Sequence, residues 1–293
     1  MRNVRTDLAL EARELAGGEI LGVASNMETI LGHRVHRVEV LDKTGSMAIG
    51  KPIGNYITIE LSGIAKREDD VFSRAIRTLS DELARIMPEG GGDILVVGLG
   101  NRGITPDAVG DAVVSKVMVT RHLVEKLPEY FASFRPVSAI VPGVLGMTGV
   151  ESKEIIAGVA EKIKPSCIIV VDALASRKIS RLCNTIQITD TGITPGSGVG
   201  NSRATINRET MGVPVIAVGV PTVVDISSII LDIEEECGIS LPESITEEYG
   251  QKLMVTPKEI DVNVEDVAKI IGYAINLSLH PKVSIEDMDM FLS

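Results

Sequence analysis

The sequence predicts an α/β fold, a mostly parallel twisted sheet with helices on both faces and additional N-terminal strands. Three observations predict it. From residue 93 onward, short continuous apolar runs alternate with amphipathic stretches of helical period, the pattern of strands linked by crossover helices. The apolar runs are rich in Val and Ile, as strands buried on both faces are. Aromatic residues make up only 3% of the 293 residues and Trp is absent, so an aliphatic core is required and an aromatic-rich antiparallel sandwich is a poor fit.

The elements are read in chain order. Residues 7–16 suit a short helix. Residues 34–41 and 56–61 alternate with period two, as half-exposed strands do. In residues 69–86, Val71, Phe72, Ala75, Ile76, Leu79, Leu83 and Ile86 fall on one helical face. A buried strand follows at residues 93–98, then helix over about 106–126, a short strand at 138–141 and helix at 152–164. Strands at 167–171 and 213–220 and helices at 226–231 and 264–277 complete the pattern. Residues 190–205 carry neither period, and a loop of that length inside a domain is commonly functional. The length alone suggests about two domains. We read one α/β domain over residues 8–293, with its core at about 93–225 and elaborations at both ends.

Composition excludes several classes. Hydrophobic residues at 44% and charged residues at 24% exclude the signature of a disordered chain. No run of 18 apolar residues and no apolar N-terminal segment is present, which supports neither a membrane span nor secretion. A net charge of −11 argues against direct nucleic-acid binding, which needs a basic face. Cys167, Cys183 and Cys237 are too scattered for a disulfide framework or a Cys-x-x-Cys zinc site, and read as reduced thiols of a cytoplasmic protein.

Gly98-Leu99-Gly100-Asn101-Arg102-Gly103 follows a strand and formally matches a dinucleotide fingerprint. Ile104-Thr105-Pro106-Asp107 intervenes before the helix, however, with Thr105 read as its cap and Pro106 as its first residue. No strand ending in an acidic residue lies about twenty positions on, so a tight strand-to-helix turn competes with nucleotide binding. That turn delivers Asp107 to the carboxyl end of a strand, and Asp172 ends the run Cys167-Ile168-Ile169-Val170-Val171 in the same way. If the two strands are neighbours, the carboxyls converge in one crevice. They then share a proton, the arrangement for acid/base hydrolysis of a peptide bond. Spacing alone leaves open whether they are a pair or two unrelated capping aspartates. The Gly196-Ser197-Gly198-Val199-Gly200 loop either cradles an anion or simply permits a tight crossing, and lacks a P-loop ending. His122 is a base or ligand candidate, though a lone helix histidine is more often merely hydrogen-bonded. Ser176, Ser197 and Ser202 show no serine-hydrolase elbow.

Longer blocks carry a resemblance. Val97-Gly98-Leu99-Gly100-Asn101, Thr105-Pro106-Asp107-Ala108, Val119-Thr120-Arg121-His122-Leu123, Asp172-Ala173-Leu174-Ala175-Ser176-Arg177, Thr185-Ile186-Gln187-Ile188, Pro195-Gly196-Ser197-Gly198-Val199-Gly200-Asn201 and Gly219-Val220-Pro221-Thr222-Val223-Val224-Asp225 occur in order. So does Val4-Arg5-Thr6-Asp7-Leu8-Ala9 near the start. The chain thus resembles the germination endopeptidases of spore-forming bacteria. The resemblance implies an atypical aspartic peptidase, related in fold to hydrogenase-maturation endopeptidases, that degrades small acid-soluble spore proteins in the spore-core cytoplasm. It also implies an inactive zymogen, a homotetramer and no cofactor.

In that family the two proposed catalytic aspartates occupy the positions of Asp107 and Asp172. Its substrates are cut after an acidic and before an apolar residue, a context that Thr6-Asp7-Leu8-Ala9 resembles. Self-processing between Asp7 and Leu8 is therefore expected, with residues 1–7 as the candidate propeptide. Thr148 and Gly149, together with Gly196, Ser197 and Gly198, are weaker candidates for binding the substrate backbone or an oxyanion. Because the related maturation endopeptidases recognise nickel, a metal-assisted alternative would use Asp107, Asp172 and His122.

Overall fold

The computed structural model describes residues 6–68, 70–200, 203–240 and 253–292. Residues 1–5 of the candidate propeptide, Asp69, Asn201 and Ser202 lie outside the described residues. The helices are α1 (Ala9–Ala16), α2 (Lys43–Ile49), α3 (Val71–Ile86), α4 (Val109–Val114), α5 (Arg121–Lys126), α6 (Pro128–Phe131), α7 (Leu145–Thr148), α8 (Ser152–Ile163), α9 (Arg208–Met211), α10 (Ile226–Cys237), α11 (Ile260–Leu279) and α12 (Ile285–Leu292). The strands are β1 (Val23–Ile30), β2 (His33–Val40), β3 (Gly54–Glu60), β4 (Ile94–Gly98), β5 (Val137–Ile140), β6 (Cys167–Ser176), β7 (Thr185–Thr189), β8 (Val215–Asp225) and β9 (Met254–Val255).

Among the described residues these strands form one nine-stranded sheet in the order β1-β2-β3-β7-β8-β6-β4-β5, with β9 on β8. The α/β class is as expected, but the sheet is mixed rather than mostly parallel. Parallel pairing is confined to β8-β6-β4-β5, whereas β1, β2, β3 and β7 run as an antiparallel extension. Tight connections suffice between β1 and β2, and antiparallel pairs permit this where parallel ones demand a crossover.

Alternation along the strands builds a core on each face. On β4, Ile94 and Val96 point to a large cluster with Leu79 and Leu83 of α3, Val109 and Val113 of α4, and Ile271 and Ile275 of α11. Leu95 and Val97 point the other way, to Ile156 and Ala160 of α8. A third cluster packs Ala9 of α1 and Ile49 of α2 on Val38, Val40 and Tyr56. Leu79 is fully buried in the first cluster. Leu79→Ala is expected to cost about 2–5 kcal/mol in denaturant unfolding, with the slope unchanged.

Two boundaries differ from the sequence reading. The helix expected over 106–126 is a 3₁₀ turn at Thr105–Asp107, then α4, then α5 after a break. Thr105 makes no cap bond and is itself the first residue of the turn. The break follows from tertiary contact: the Asn276 side chain on α11 accepts from the Met118 amide at 2.9 Å and donates to the Lys116 carbonyl at 2.8 Å. A side chain thereby takes the backbone groups that a continuous helix would pair. The second difference is β6, which runs on through Ala173, Leu174, Ala175 and Ser176 beside β8. Asp172 consequently lies within the strand and not at its end. Among the described residues no helix is long and apolar enough to cross a membrane.

Candidate active site

The chain passes from β4 to β5 on one side and then returns to lay β6 on the other side of β4. Such a reversal opens a crevice beyond the carboxyl ends of the two strands, the usual ligand position in parallel sheets. β4 ends at Gly98, paired with Val171, and the next residue on β6 is Asp172. Asp172 is therefore flanked on one side by Gly219 of β8 and on the other by the loop that leaves β4.

That loop is shaped by its glycines. A Cβ on Gly98 would lie 2.2 Å from the Gly110 carbonyl oxygen, and one on Gly100 would lie 1.9 Å from that of Asp107. Gly100 also has φ +104°, which side chains rarely adopt. With both kept as glycine, the Asn101 amide donates to the Asp107 carbonyl at 3.0 Å, and the turn folds Asp107 back over the strand end. The glycine run thus packs against its own chain, which accounts for the nucleotide-like spacing.

The two carboxyls interact. Asp172 is 5% exposed, and one of its oxygens accepts from the Ala173 amide at 2.9 Å. Burial, then the charge of Asp107, push its pKa well above the ordinary carboxylate value, with a further contribution from Asp7. Asp107 is half-buried and its pKa is also raised, by burial. Two carboxyls this strongly coupled titrate as one unit, and the charge of the first to ionise holds back the second. A carboxyl pair in which one member keeps its proton while the other has lost it can both donate a proton and hold a water as base.

A cavity of about 980 Å³ lies beside this crevice, lined among others by Asp7, Lys51, Leu174, Gln187, Ser197 and Gly198. Ser197 and Gly198 are thus brought to the cavity, and Gly196 is the residue at which their 3₁₀ turn begins. Thr148 and Gly149 are not among its lining: Thr148 is an exposed residue bonded to the Val144 and Val150 carbonyls, and Gly149 ends α7 at φ +73°. His122 is exposed on α5, and among the described residues no group of three His, Cys, Asp or Glu side chains is placed to hold a metal. The set Asp107, Asp172 and His122 does not converge.

Asp7 and Leu8 sit at the site. The Asp7 amide donates to the Ala175 carbonyl at 3.0 Å, and Leu8 is fully buried just before α1. Sequence reasoning missed Lys51, Gln187 and Glu11, each of which holds this segment. Glu11 is 1% exposed and accepts from the Arg177 and Lys178 amides at 2.7 and 3.1 Å. None belongs to a motif with its own spacing signal. Gln187 alone lay inside a quoted block, as the one polar residue whose side chain is flanked by Ile186 and Ile188.

Comparison with known proteins covers the chain almost from end to end. The family model described as germination protease matches residues 4–235 and 232–292. The germination protease of Caldanaerobacter subterraneus subsp. tengcongensis is 45% identical over 99% of this chain and 98% of its own. That of Clostridium perfringens is 43% identical over the whole of both chains, and that of Bacillus cytotoxicus 38% identical over 96% and 94%. Among solved structures, the [NiFe] hydrogenase maturation protease HycI from Thermococcus kodakarensis aligns with TM-score 0.37 and 19% identity, over 66% of this chain and 98% of that one, a likeness too slight to bear on the site. By full-length identity and by family match, the chain belongs to the germination protease family.

Proposed function

We propose that the chain is an endopeptidase in which Asp107 and Asp172 share the catalytic work with a water molecule. The observation that carries this is the placing of the two carboxyls in the β4/β6 crevice, with Asp172 buried and its pKa raised by that burial and by the charge of Asp107. The ionised member takes a proton from water as its oxygen bonds to the scissile carbonyl carbon. The protonated member supports the carbonyl oxygen, and the proton then passes to the leaving amine as the C–N bond breaks. General acid–base help of this kind contributes about 10²–10⁴ in rate.

The family supplies a germination peptidase; the finer reading is that its substrates are small acid-soluble spore proteins, cut after an acidic residue and before an apolar one. Cleavage between Asp7 and Leu8 would convert a zymogen by removing residues 1–7, in a homotetramer working in the spore-core cytoplasm. The position of the Asp7–Leu8 segment against the site supports self-processing. Incubation with a purified small acid-soluble spore protein, followed by mass spectrometry, tests the reading. The expected result is cleavage on the carboxyl side of Asp or Glu that persists after exhaustive chelation. Loss of cleavage on chelation, restored by a divalent metal, would replace the aspartate-pair reading with the metal-assisted one.

A further inference from the structure

The contacts of Asp7 go beyond those of a strand end. Its carboxylate accepts from the Ala175 amide at 2.9 Å and from the Ser197 hydroxyl at 2.8 Å, while its own amide donates to the Ala175 carbonyl. Gly198 leaves the space it fills: a Cβ there would lie 2.0 Å from Asp7 Oδ2. On the other side, Lys51 Nζ donates to the carbonyl oxygens of Thr6 and Asp7 at 3.0 and 2.9 Å, and Gln187 Nε2 reaches the Asp7 carbonyl at 3.3 Å. The oxygen of the same Gln187 amide accepts from the Ala9 amide at 2.7 Å. The side chain of Gln187 therefore straddles the Asp7–Leu8 bond, gripping the carbonyl before it and the second amide after it.

The geometry points to a built subsite that reads an acidic side chain on the amino side of the cleaved bond: Ser197 and the Ala175 amide bind the carboxylate, Gly198 gives it room, and Lys51 with Gln187 hold the carbonyl. The chain's own Asp7 occupies this subsite. The inference rests on the endopeptidase reading and assigns its specificity. Lys51 supplies the only positive charge among these contacts, close to Asp7, and its burial makes that charge act through a medium poorer than water. Two donors on the Asp7 carbonyl are also the arrangement that stabilises negative charge developing on that oxygen during attack. A neutral Asn would keep its oxygen on the Ala175 amide and turn its NH₂ to the Ser197 hydroxyl, so what it forfeits is the charge that strengthens both bonds and the attraction of the nearby Lys51 ammonium. Charge from the bound acidic residue further favours the protonated form of Asp172, so an acidic substrate would help hold the proton that its own cleavage uses.

The test has an arm that needs no turnover. In the full chain carrying Asp107→Asn, hydrogen–deuterium exchange of residues 173–178 reports occupancy of the subsite by the N-terminal segment. Asp7→Asn is expected to speed that exchange about tenfold, Ser197→Ala to do likewise, and the double variant to add little to either. Gly198→Ala, which fills the space from the other side, should behave as Asp7→Asn does. Exchange indifferent to Asp7→Asn and Gly198→Ala overturns the inference. In the second arm Asp107 is intact and the substrate is a synthetic peptide of residues 2–11, compared with the same peptide carrying Asn at the Asp7 position. The Asp peptide is expected to be cut with at least about tenfold higher kcat/KM. Ser197→Ala should lower that preference at least threefold through KM, and Lys51→Met should lower kcat, with partial rescue by Lys51→Arg. Cleavage that keeps its full preference in both variants overturns the subsite and leaves the endopeptidase reading intact. Exchange that behaves as expected, with neither peptide cut even by the chain whose own segment is loosened by Asp7→Asn, upholds the subsite and sinks the endopeptidase reading.

Discussion

Asp172→Asn is expected to abolish measurable proteolysis while making the folded chain more stable at neutral pH. Removing a group that both donates and accepts a proton forfeits about 10²–10⁴ in rate. The stability effect has its own sign. In the folded chain the pKa of Asp172 lies well above the ordinary value of 3.8, because of burial, the charge of Asp107 and that of Asp7. Below that ordinary value the carboxyl is protonated in both folded and unfolded chains, and its contribution to stability is fully present. As pH rises, the unfolded chain releases the proton first, and stability is lost until pH passes the folded pKa. Asparagine has no proton to lose, so the melting temperatures of Asp172→Asn and the parent should converge near pH 3 and separate in favour of the variant toward pH 7. Asp107→Asn should lose activity just as completely and gain less stability, since Asp107 is only half-buried. A melting difference independent of pH, or near-parental cleavage by either variant, would contradict the coupled pair.

The contrast between Asp172 and Lys51 shows where the site was legible in sequence. A carboxylate that terminates five consecutive apolar residues is conspicuous, and Asp107 behind the glycine turn that follows β4 is equally so. Their meeting depends only on β4 and β6 being neighbours, which the alternation of strands and helices already makes a natural arrangement. Lys51, Gln187 and Ser197 come instead from three separate places: the connection after α2, the middle of β7, and the loop before α9. No short-range pattern links them, because what brings them together is the pairing of β7 between β3 and β8.

The same cause explains the elements that pattern reading did not find. β1 is exposed along nearly its whole length at the sheet edge, so its sequence Val23-Ala24-Ser25-Asn26-Met27-Glu28-Thr29-Ile30 carries no alternation to detect. The helix broken after Val114 has good helical period on both sides of the break, and the decisive side chain, Asn276, lies far along the chain on α11. β6 extends five residues beyond its continuous apolar run, which Asp172 interrupts, because its long partner β8 keeps it paired to Ser176. Burial patterns are local; strand order and side-chain substitution for backbone bonds are not.

Glu11→Ala is expected to be among the most damaging substitutions outside the large core, at about 3–5 kcal/mol, because it breaks a buried ion pair from one side. Glu11 and Arg181 are 1% and 6% exposed, and their closest approach is 3.1 Å. The carboxylate also accepts from the Arg177 and Lys178 amides and from the Thr6 hydroxyl, so it closes the end of β6 and pins the segment that carries Asp7. Truncation leaves two amides without an acceptor and part of the Arg181 charge unmatched. In thermal unfolding the loss corresponds to roughly 5–8 °C for a chain of this size. Glu14 contacts Arg181 at 2.7 Å and Lys178 at 3.3 Å but is one-third exposed, where solvent screens the pair. Glu14→Ala should therefore cost no more than about 1 kcal/mol. Glu11→Gln, which keeps one acceptor oxygen, should fall between the two. Hydrogen exchange in residues 6–12 should rise in the same order, linking the anchor to the retention of Asp7 in its subsite. Equal costs for Glu11→Ala and Glu14→Ala would mean that surface charge alone, and not the buried carboxylate, holds the N-terminal segment in place.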